Sequence, residues 1–372
     1  MQLKYKINKN EHQIHFCKKN QFNKISEYLE KSQSDKNILF VYDDNVNKKI
    51  VKSILDELNS FGCNLFVMEC KGSKQNKNEK FLFKILDILI KNKFTKKSII
   101  ISFGGGVVGD VTALASSLYL RGLIYFCIPT TMTAIVDSSI GGKTAINYKG
   151  VINSIGNYYH PDAVFIMEET VKEIPDREYF AGFAEIIKCG LIGKNKILTF
   201  LEKEKNNLIN RKIEKVFMIC FMTLDAKIKF FSKDIYEKNV RLMLNFGHTF
   251  AHAIEMAIEN RLKTDFIRHG EAVGIGILCE IYYSNKKKNR LFNTVSKYLK
   301  SFNLPVNLDN SNIPIKKVKI QNEIYKNLFL DKKKVDKHPR YICLKKKGNT
   351  SVKEMKDYDF LNDTILKVIF KN

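Results

Sequence analysis

An α/β N-terminal domain with a Rossmann-like parallel sheet, followed by a mainly α-helical C-terminal domain, is the fold class this sequence predicts. Three observations predict it. Short runs of β-forming residues alternate with stretches of helical periodicity through the first half, the pattern of parallel strands covered by helices. One of those strand runs stops abruptly in glycines, where a backbone can approach a ligand. From about Asp176 the chain reads as amphipathic helix, with few strand runs until "RYICL" (340–344). The boundary falls near 175–185, which divides residues 1–180 from 181–372.

In order along the chain, "NILFVYDD" (37–44) and "NLFVMEC" (64–70) read as strands, and "EKFLFKILDILIKN" (79–92) carries apolar residues at helical spacing. "SIIISF" (98–103) is a third strand and "LIYFCIP" (123–129) a fourth. In "SIIISFGGGVVGD" (98–110), Gly104, Gly106 and Gly109 satisfy G-x-G-x-x-G. A strand feeding a helix N-terminus leaves free N–H groups for an anion, although a tight strand-to-helix turn explains such a match equally well. The order differs from that of an ordinary Rossmann domain, where the glycine turn follows the first strand and an acid lies downstream. Here the glycines follow the third strand, and the strand-end acid is Asp43, upstream. "PTTMTAIVDSSIGGKTAIN" (129–147) reads as a loop of small hydroxylated residues, with Asp137 and Lys143 suited to gripping phosphate or carboxylate. Its "GGKT" is not a P-loop, because Asp137 stands where that motif needs its first glycine.

Composition narrows the functional classes. At 372 residues with 44% hydrophobic content, the chain can bury two cores. No apolar run is long enough to span a membrane, and "MQLKYKINKNEHQIHF" lacks the apolar core of a secretory signal. Eight scattered cysteines without a C-x-x-C pair fit a reducing cytoplasm and exclude a zinc ribbon or disulfide framework. The net charge of +24 raises nucleic-acid binding. However, the lysines are spread along the chain, with short runs only at 286–288, 332–334 and 345–347. Abundant Asn, Ile and Phe point to AT-rich codon usage, so the lysines read as a solvated surface that also attracts anionic metabolites.

Three of the seven histidines gather in "LNFGHTFAHAIEMAIENRLKTDFIRHGEAV" (244–273). His248 and His252 are spaced i, i+4 on one helix face, and His269 opens the next helical segment. Upstream, "GFAEIIKCG" (182–190) puts Glu185 and Lys188 at i, i+3. Neutral imidazoles plus a carboxylate, with one open position, describe a catalytic zinc site. A histidine pair alone is more often structural, and spacing does not choose which three residues ligate.

Six blocks then align with one family. "GGGVVGDVTALASSLYLRG", "PTTMTAIVDSSIGGKTAIN", "GFAEIIKCGLI", "LNFGHTFAHAIE", "HGEAV" and "LDKKK" occur in this order. In them the chain resembles the 3-dehydroquinate synthase family of sugar-phosphate cyclases, from about residue 37 to 345. The resemblance implies a dehydroquinate synthase-like fold with NAD and a divalent metal, zinc or cobalt. It implies Glu185, His248 and His269 as metal ligands, with His252 beside substrate. NAD would lie against Gly105, Gly106, Val107, Gly109 and Asp110, and against Thr130, Thr131, Asp43, Asn45, Lys80 and Lys143. The implied substrate pocket comprises Asp137, Lys143, Asn153, Lys188, Lys227, Arg241, Asn245, His252 and a lysine of "DKKK", Lys332 or Lys333. Arg121 matches an arginine that reaches a neighbouring subunit, which implies a homodimer. No nucleic-acid or membrane partner is implied. Two positions depart from the family pattern: Lys77 stands where Glu is expected, and Ile152 where a cofactor-holding lysine is expected, with Lys149 nearby as a substitute.

The reaction so implied converts 3-deoxy-D-arabino-heptulosonate 7-phosphate to 3-dehydroquinate and phosphate. Phosphate leaves beside a C–H that is not acidic. Transient oxidation of the adjacent hydroxyl by NAD makes it acidic, and the hydride is later returned. Lys143, Lys227 and Arg241 would clamp the substrate anions, while Lys188, Asp137 and His252 would relay the hydroxyl proton. The competing readings are a related cyclase acting on another sugar phosphate, a metal-dependent alcohol dehydrogenase and a basic nucleic-acid-binding protein. A cationic clamp predicts that KM for the sugar-phosphate substrate rises with salt. Initial rates across ionic strengths check this, and a flat KM would count against the clamp.

Overall fold

The computed structural model describes residues 1–32, 34–193, 195–262, 266–311, 317–329 and 338–370. The chain divides into two compact units, Met1–Pro175 and Asp176–Asn372. Among the described residues, no helix is long and apolar enough to cross a membrane.

The first unit contains strands β1 (Gln2–Ile7), β2 (Asn10–Cys17), β3 (Asn37–Asp43), β4 (Asn64–Cys70), β5 (Ile99–Gly104) and β6 (Ile124–Pro129). The hairpin of β7 (Lys143–Tyr148) and β8 (Val151–Tyr158) follows, and then β9 (Ala163–Met167). Seven strands form one sheet in the order β1-β2-β9-β6-β5-β3-β4, while β7 and β8 pair only with each other. Every neighbouring pair in the large sheet is parallel except β1 with β2.

The continuous apolar runs follow from burial on both faces. Successive side chains of β3 point to opposite sides. Ile38 and Phe40 pack with Ile54 and Leu58 of the Lys48–Ser60 helix. Leu39 and Val41 pack with Leu82 and Ile85 of the Glu79–Lys91 helix and Val111 of the Gly106–Leu118 helix. From β3 the chain runs outward to β4, then returns on the other side of β3 as β5. The C-terminal ends of β3 and β5 therefore form a topological switch point, where sheets of this kind bind ligands. Asp43 and the glycine turn both lie there.

Three features go beyond the sequence reading. The N-terminal segment forms the β1–β2 hairpin, in which alternate residues Tyr5, Ile7, His12, Ile14 and Phe16 are buried and Asn8 turns the chain at φ 55°. The glycine turn thus follows the fifth strand along the chain. The 129–147 stretch is not a simple loop: it contains a wide helical turn, Ala134–Ser138, and β7.

Among the described residues, the second unit is helical except for a hairpin of β10 (Arg340–Lys346) and β11 (Asn349–Glu354), of which only the first strand is evident in the sequence. Its central helix, His269–Asn285, is buried on all sides from Gly270 to Tyr283. Two glycines let it approach neighbouring backbone. A Cβ on Gly270 would lie 1.8 Å from the Ala181 carbonyl oxygen, and one on Gly276 would lie 2.0 Å from that of Gly247. Gly247 itself has φ +84°, which favours glycine. Glu271 fixes the start of this helix: it accepts two 2.7 Å bonds from Arg177 and one of 2.9 Å from the Arg268 N–H. Gly276→Ala should cost about 2–3 kcal/mol, the upper range for overpacking, because backbone cannot rotate aside as a side chain can. Calorimetric unfolding should show the midpoint falling by several degrees. An unchanged midpoint would mean the close contact is not needed.

Candidate active site

Glu185 lies on the fully buried helix Phe183–Ile192, His248 opens the helix His248–Leu262, and His269 opens the central helix. One ligand atom from each of the three lies within 4.8 Å of the others. Glu185 Oε1 is 3.7 Å from His248 Nε2 and 3.9 Å from His269 Nε2, while Oε2 pairs with the Lys188 ammonium. Both Glu185 oxygens are buried, and beyond that ion pair neither accepts a hydrogen bond among the described residues.

The outer nitrogens are also engaged. His248 Nδ1 is 3.3 Å from the Phe246 carbonyl oxygen, and His269 Nδ1 is 3.2 Å from Glu255 Oε2. Carbonyl and carboxylate oxygens only accept, so Nδ1 carries a proton in each ring, and Nε2 of each faces Glu185. Burial, then the Lys188 charge, holds the His248 imidazole well below its usual pKa, which leaves it neutral. Two imidazoles and a carboxylate fit a divalent cation such as zinc. The His252 ring lies 5.6 Å from that of His248 and 6.2 Å from that of His269.

Lys188 is 1% exposed, Arg241 2% and Lys227 6%. Lys227 lies on the Ile213–Phe231 helix and Arg241 on the turn Val240–Asn245; both elements pack against the Glu185 helix. Asp234 holds this turn by accepting from the N–H groups of Lys238, Asn239 and Arg241. The Arg241 guanidinium donates to the Ile235 carbonyl at 2.7 Å, and Asn245 donates to Glu237. Lys332 and Lys333 lie outside the described residues.

In the first unit, the helix Gly106–Leu118 begins directly after β5, with Gly105 as a cap that offers no side chain and no acid in its first turn. Its first N–H groups can therefore face an anion. Gly104, Gly105, Gly109, Asp110, Ser138 and Lys143 line one pocket at this turn. Gly106 comes close to Ser138 and Gly105 to Thr131, and the Thr130 N–H donates to the Gly104 carbonyl at 3.0 Å. Val107 is half-buried. Asp43 Oδ1 accepts from the backbone N–H and the side-chain amide of Asn45, both at 3.1 Å, and burial raises its pKa. Asp137 sits in the wide helical turn, and Lys143 begins β7. Asn153 lies in β8 at φ 49°. Lys80 is exposed on the Glu79–Lys91 helix, and Arg121 is exposed where the turn after the Gly106–Leu118 helix ends.

Sequence reasoning missed Glu255 and Asp234, which orient His269 and Arg241. It treated Lys77 only as a departure from pattern, yet this lysine contacts Asp110 and Asn153.

Residues 67–181 match the 3-dehydroquinate synthase N-terminal family and residues 182–334 the 3-dehydroquinate synthase C-terminal family. A protein of Prochlorococcus marinus (strain MIT 9312) named 3-dehydroquinate synthase is 36% identical over 361 residues, covering 94% of this chain and 93% of its own. Among solved structures, 2-deoxy-scyllo-inosose synthase in complex with carbaglucose-6-phosphate, NAD+ and Co2+ superposes with a TM-score of 0.87 at 22% identity, covering 99% of this chain and 100% of that one. ValA, a 2-epi-5-epi-valiolone synthase from Streptomyces hygroscopicus subsp. jinggangensis 5008 with NAD+ and Zn2+ bound, superposes with a TM-score of 0.83 at 18% identity, covering 99% of each chain. These two structures establish the shared fold, and the sequence relationship establishes the lineage. The chain belongs to the 3-dehydroquinate synthase family.

Proposed function

We propose that this chain converts 3-deoxy-D-arabino-heptulosonate 7-phosphate to 3-dehydroquinate and phosphate, using NAD and a zinc or cobalt ion, as a cytoplasmic homodimer. The observation that carries the chemical reading is the convergence of Glu185 Oε1 with the Nε2 atoms of His248 and His269 beside the buried Lys188. When bound, NAD supplies a reversible hydride acceptor and the divalent ion a Lewis acid for the substrate hydroxyl.

The protein's own groups then have defined tasks. In the second unit, Glu185, His248 and His269 hold the cation, and Glu255 keeps the His269 ring oriented. Lys188 and His252 flank that centre and are positioned to exchange the hydroxyl proton, a relay that Asp137 joins in this reading. Lys227 and Arg241 balance the substrate's carboxylate and phosphate charges, with Asn245 as a neutral donor. Lys332 and Lys333 remain candidates for the same clamp. In the first unit, Gly105, Gly106, Val107, Gly109 and Asp110 cradle the dinucleotide with Thr130 and Thr131. Asp43, Asn45 and Lys80 serve its outer half, and Lys143 and Asn153 its border with substrate. The 1–180 portion thus acts as the NAD-binding domain and 181–372 as the metal- and substrate-binding domain. Eight free cysteines, seven of them buried, suit a reducing compartment. Arg121, exposed on its turn, is the residue proposed to cross to a second subunit.

Zinc-loaded protein supplied with NAD and the heptulosonate phosphate should release phosphate without accumulating NADH. Sedoheptulose 7-phosphate and glucose 6-phosphate should release none. Phosphate release from either of those instead would transfer the assignment to another cyclase activity, and net NADH would indicate a dehydrogenase. The metal centre has its own test. Glu185→Ala should abolish stoichiometric zinc by atomic absorption, and Glu255→Gln should weaken zinc about 10–100-fold in a chelator competition, the usual effect of losing an orienting carboxylate. Full zinc retention in Glu185→Ala would refute the proposed ligand set.

A further inference from the structure

We infer that the N-terminal β1–β2 hairpin takes part in the reaction as a positioning element. Its His12 stacks with His160, and the two rings back the Gly141–Gly142 corner from which Lys143 starts β7. The inference rests on the proposed place of Lys143 at the border between dinucleotide and substrate. None of the residues assigned to the reaction lies in the hairpin, so its part is exerted through these rings.

The sheet register builds the stack. Tyr5 and His12 stand directly opposite each other in the hairpin, with ring centroids 5.1 Å apart and planes at 20°. Gln13 pairs with Ala163 of β9 and donates its N–H to the Asp162 carbonyl at 3.1 Å, which sets His12 beside the 160–162 segment. There His12 Nδ1 donates to the Pro161 carbonyl oxygen at 2.8 Å, since a carbonyl can only accept. The His160 ring lies 5.4 Å from that of His12 and 6.1 Å from that of Tyr5. All three side chains are buried.

The far side of the stack meets the corner. Gly141 and Gly142 have φ of 90° and 70°, in the left-handed region that favours glycine. A Cβ on Gly142 would lie 2.6 Å from His160 Cδ2 and 2.7 Å from its Nε2, so the imidazole rests directly on the backbone. The Gly142 carbonyl also accepts from the Tyr159 N–H at 2.7 Å, which ties the corner to the residue before His160. Gly142, Lys143 and Pro161 line the same pocket as Gly104, Gly105 and Asp110. A glycine pair has no side chains with which to fix its own direction. The ring behind it therefore decides where Lys143 leaves the corner, and a displacement of about 1 Å is enough to spoil a binding group.

Phosphate-release kinetics and amide hydrogen exchange of the zinc-loaded full-length protein test the inference, with unfolding midpoints recorded for every variant. His12→Ala and His160→Ala should each lower kcat/KM for the heptulosonate phosphate about tenfold or more, the scale of a misplaced binding group. In both, exchange in residues 140–146 should quicken at least about tenfold while β5 keeps its protection. His12→Phe, which keeps a flat ring against Tyr5 and His160, should stay within about threefold of wild type. Unchanged kcat/KM in both alanine variants would overturn the inference. So would a loss in His12→Phe as large as in His12→Ala, or faster exchange throughout the unit, because the rings would then serve stability alone. Exchange in 140–146 that ignores both alanine variants would overturn the inference and leave the proposed function standing. Wild-type protein that releases no phosphate from this substrate would overturn the proposed function, and with it the place given to Lys143.

Discussion

The second unit depends on the backbone-to-backbone approach of its central helix to two flanking segments. Gly270 lies against Ala181, four residues before Glu185, and Gly276 lies against Gly247, one residue before His248. The same two contacts therefore set where all three metal-ligand candidates stand. A side chain at either glycine would push the helices apart by about the width of a methyl group, and a site with ligand atoms within 4.8 Å tolerates little of that. Glu271 complements the contact electrostatically by tying Arg177 and the Arg268 N–H to the first turn, so that His269 starts its helix in a fixed place. Close packing and charge pairing here serve position more than bulk stability.

The charges inside that unit are ordered by what each atom faces. Glu185 divides its two oxygens between an ammonium and a pair of imidazoles. His248 is kept neutral by burial and by Lys188, so the site presents lone pairs where a cation would sit. Around it, Lys188, Lys227 and Arg241 place three buried positive charges on elements that pack together. The first unit solves a related problem differently. Its acid at the glycine turn, Asp110, is met by Lys77 from a neighbouring turn.

Much of this fold is legible in the sequence because both of its periodicities are strong. The β3, β4, β5 and β6 runs are apolar on both faces, and the Glu79–Lys91 helix shows its stripe plainly. The β1–β2 hairpin is hidden because its buried residues alternate with Lys, Asn and Gln, and because β1 lies at the sheet edge, where one face suffices. The stretch from 129 to 147 misleads for another reason: small hydroxylated residues that favour loops are here drawn against the glycine turn by close packing. In the candidate site, spacing reveals the helix pairs Glu185 with Lys188 and His248 with His252. It carries no information about His269 meeting Glu185, which requires the glycine contacts, nor about Glu255 and Asp234, whose roles exist only in three dimensions.

The bulk charge of +24 shows why count and position must be kept apart. Most lysines among the described residues are exposed, and at physiological salt a surface charge is screened within about 8 Å. They raise the general potential felt by an approaching metabolite but do not distinguish one anion from another. Four cations are mostly or fully buried in the two regions described, Lys77, Lys188, Lys227 and Arg241, and these act with little screening. Each is held by a named neighbour or by a packed element, so its direction is as fixed as its charge. A fixed, buried charge can distinguish one anion from another, whereas a mobile surface lysine attracts every phosphate alike.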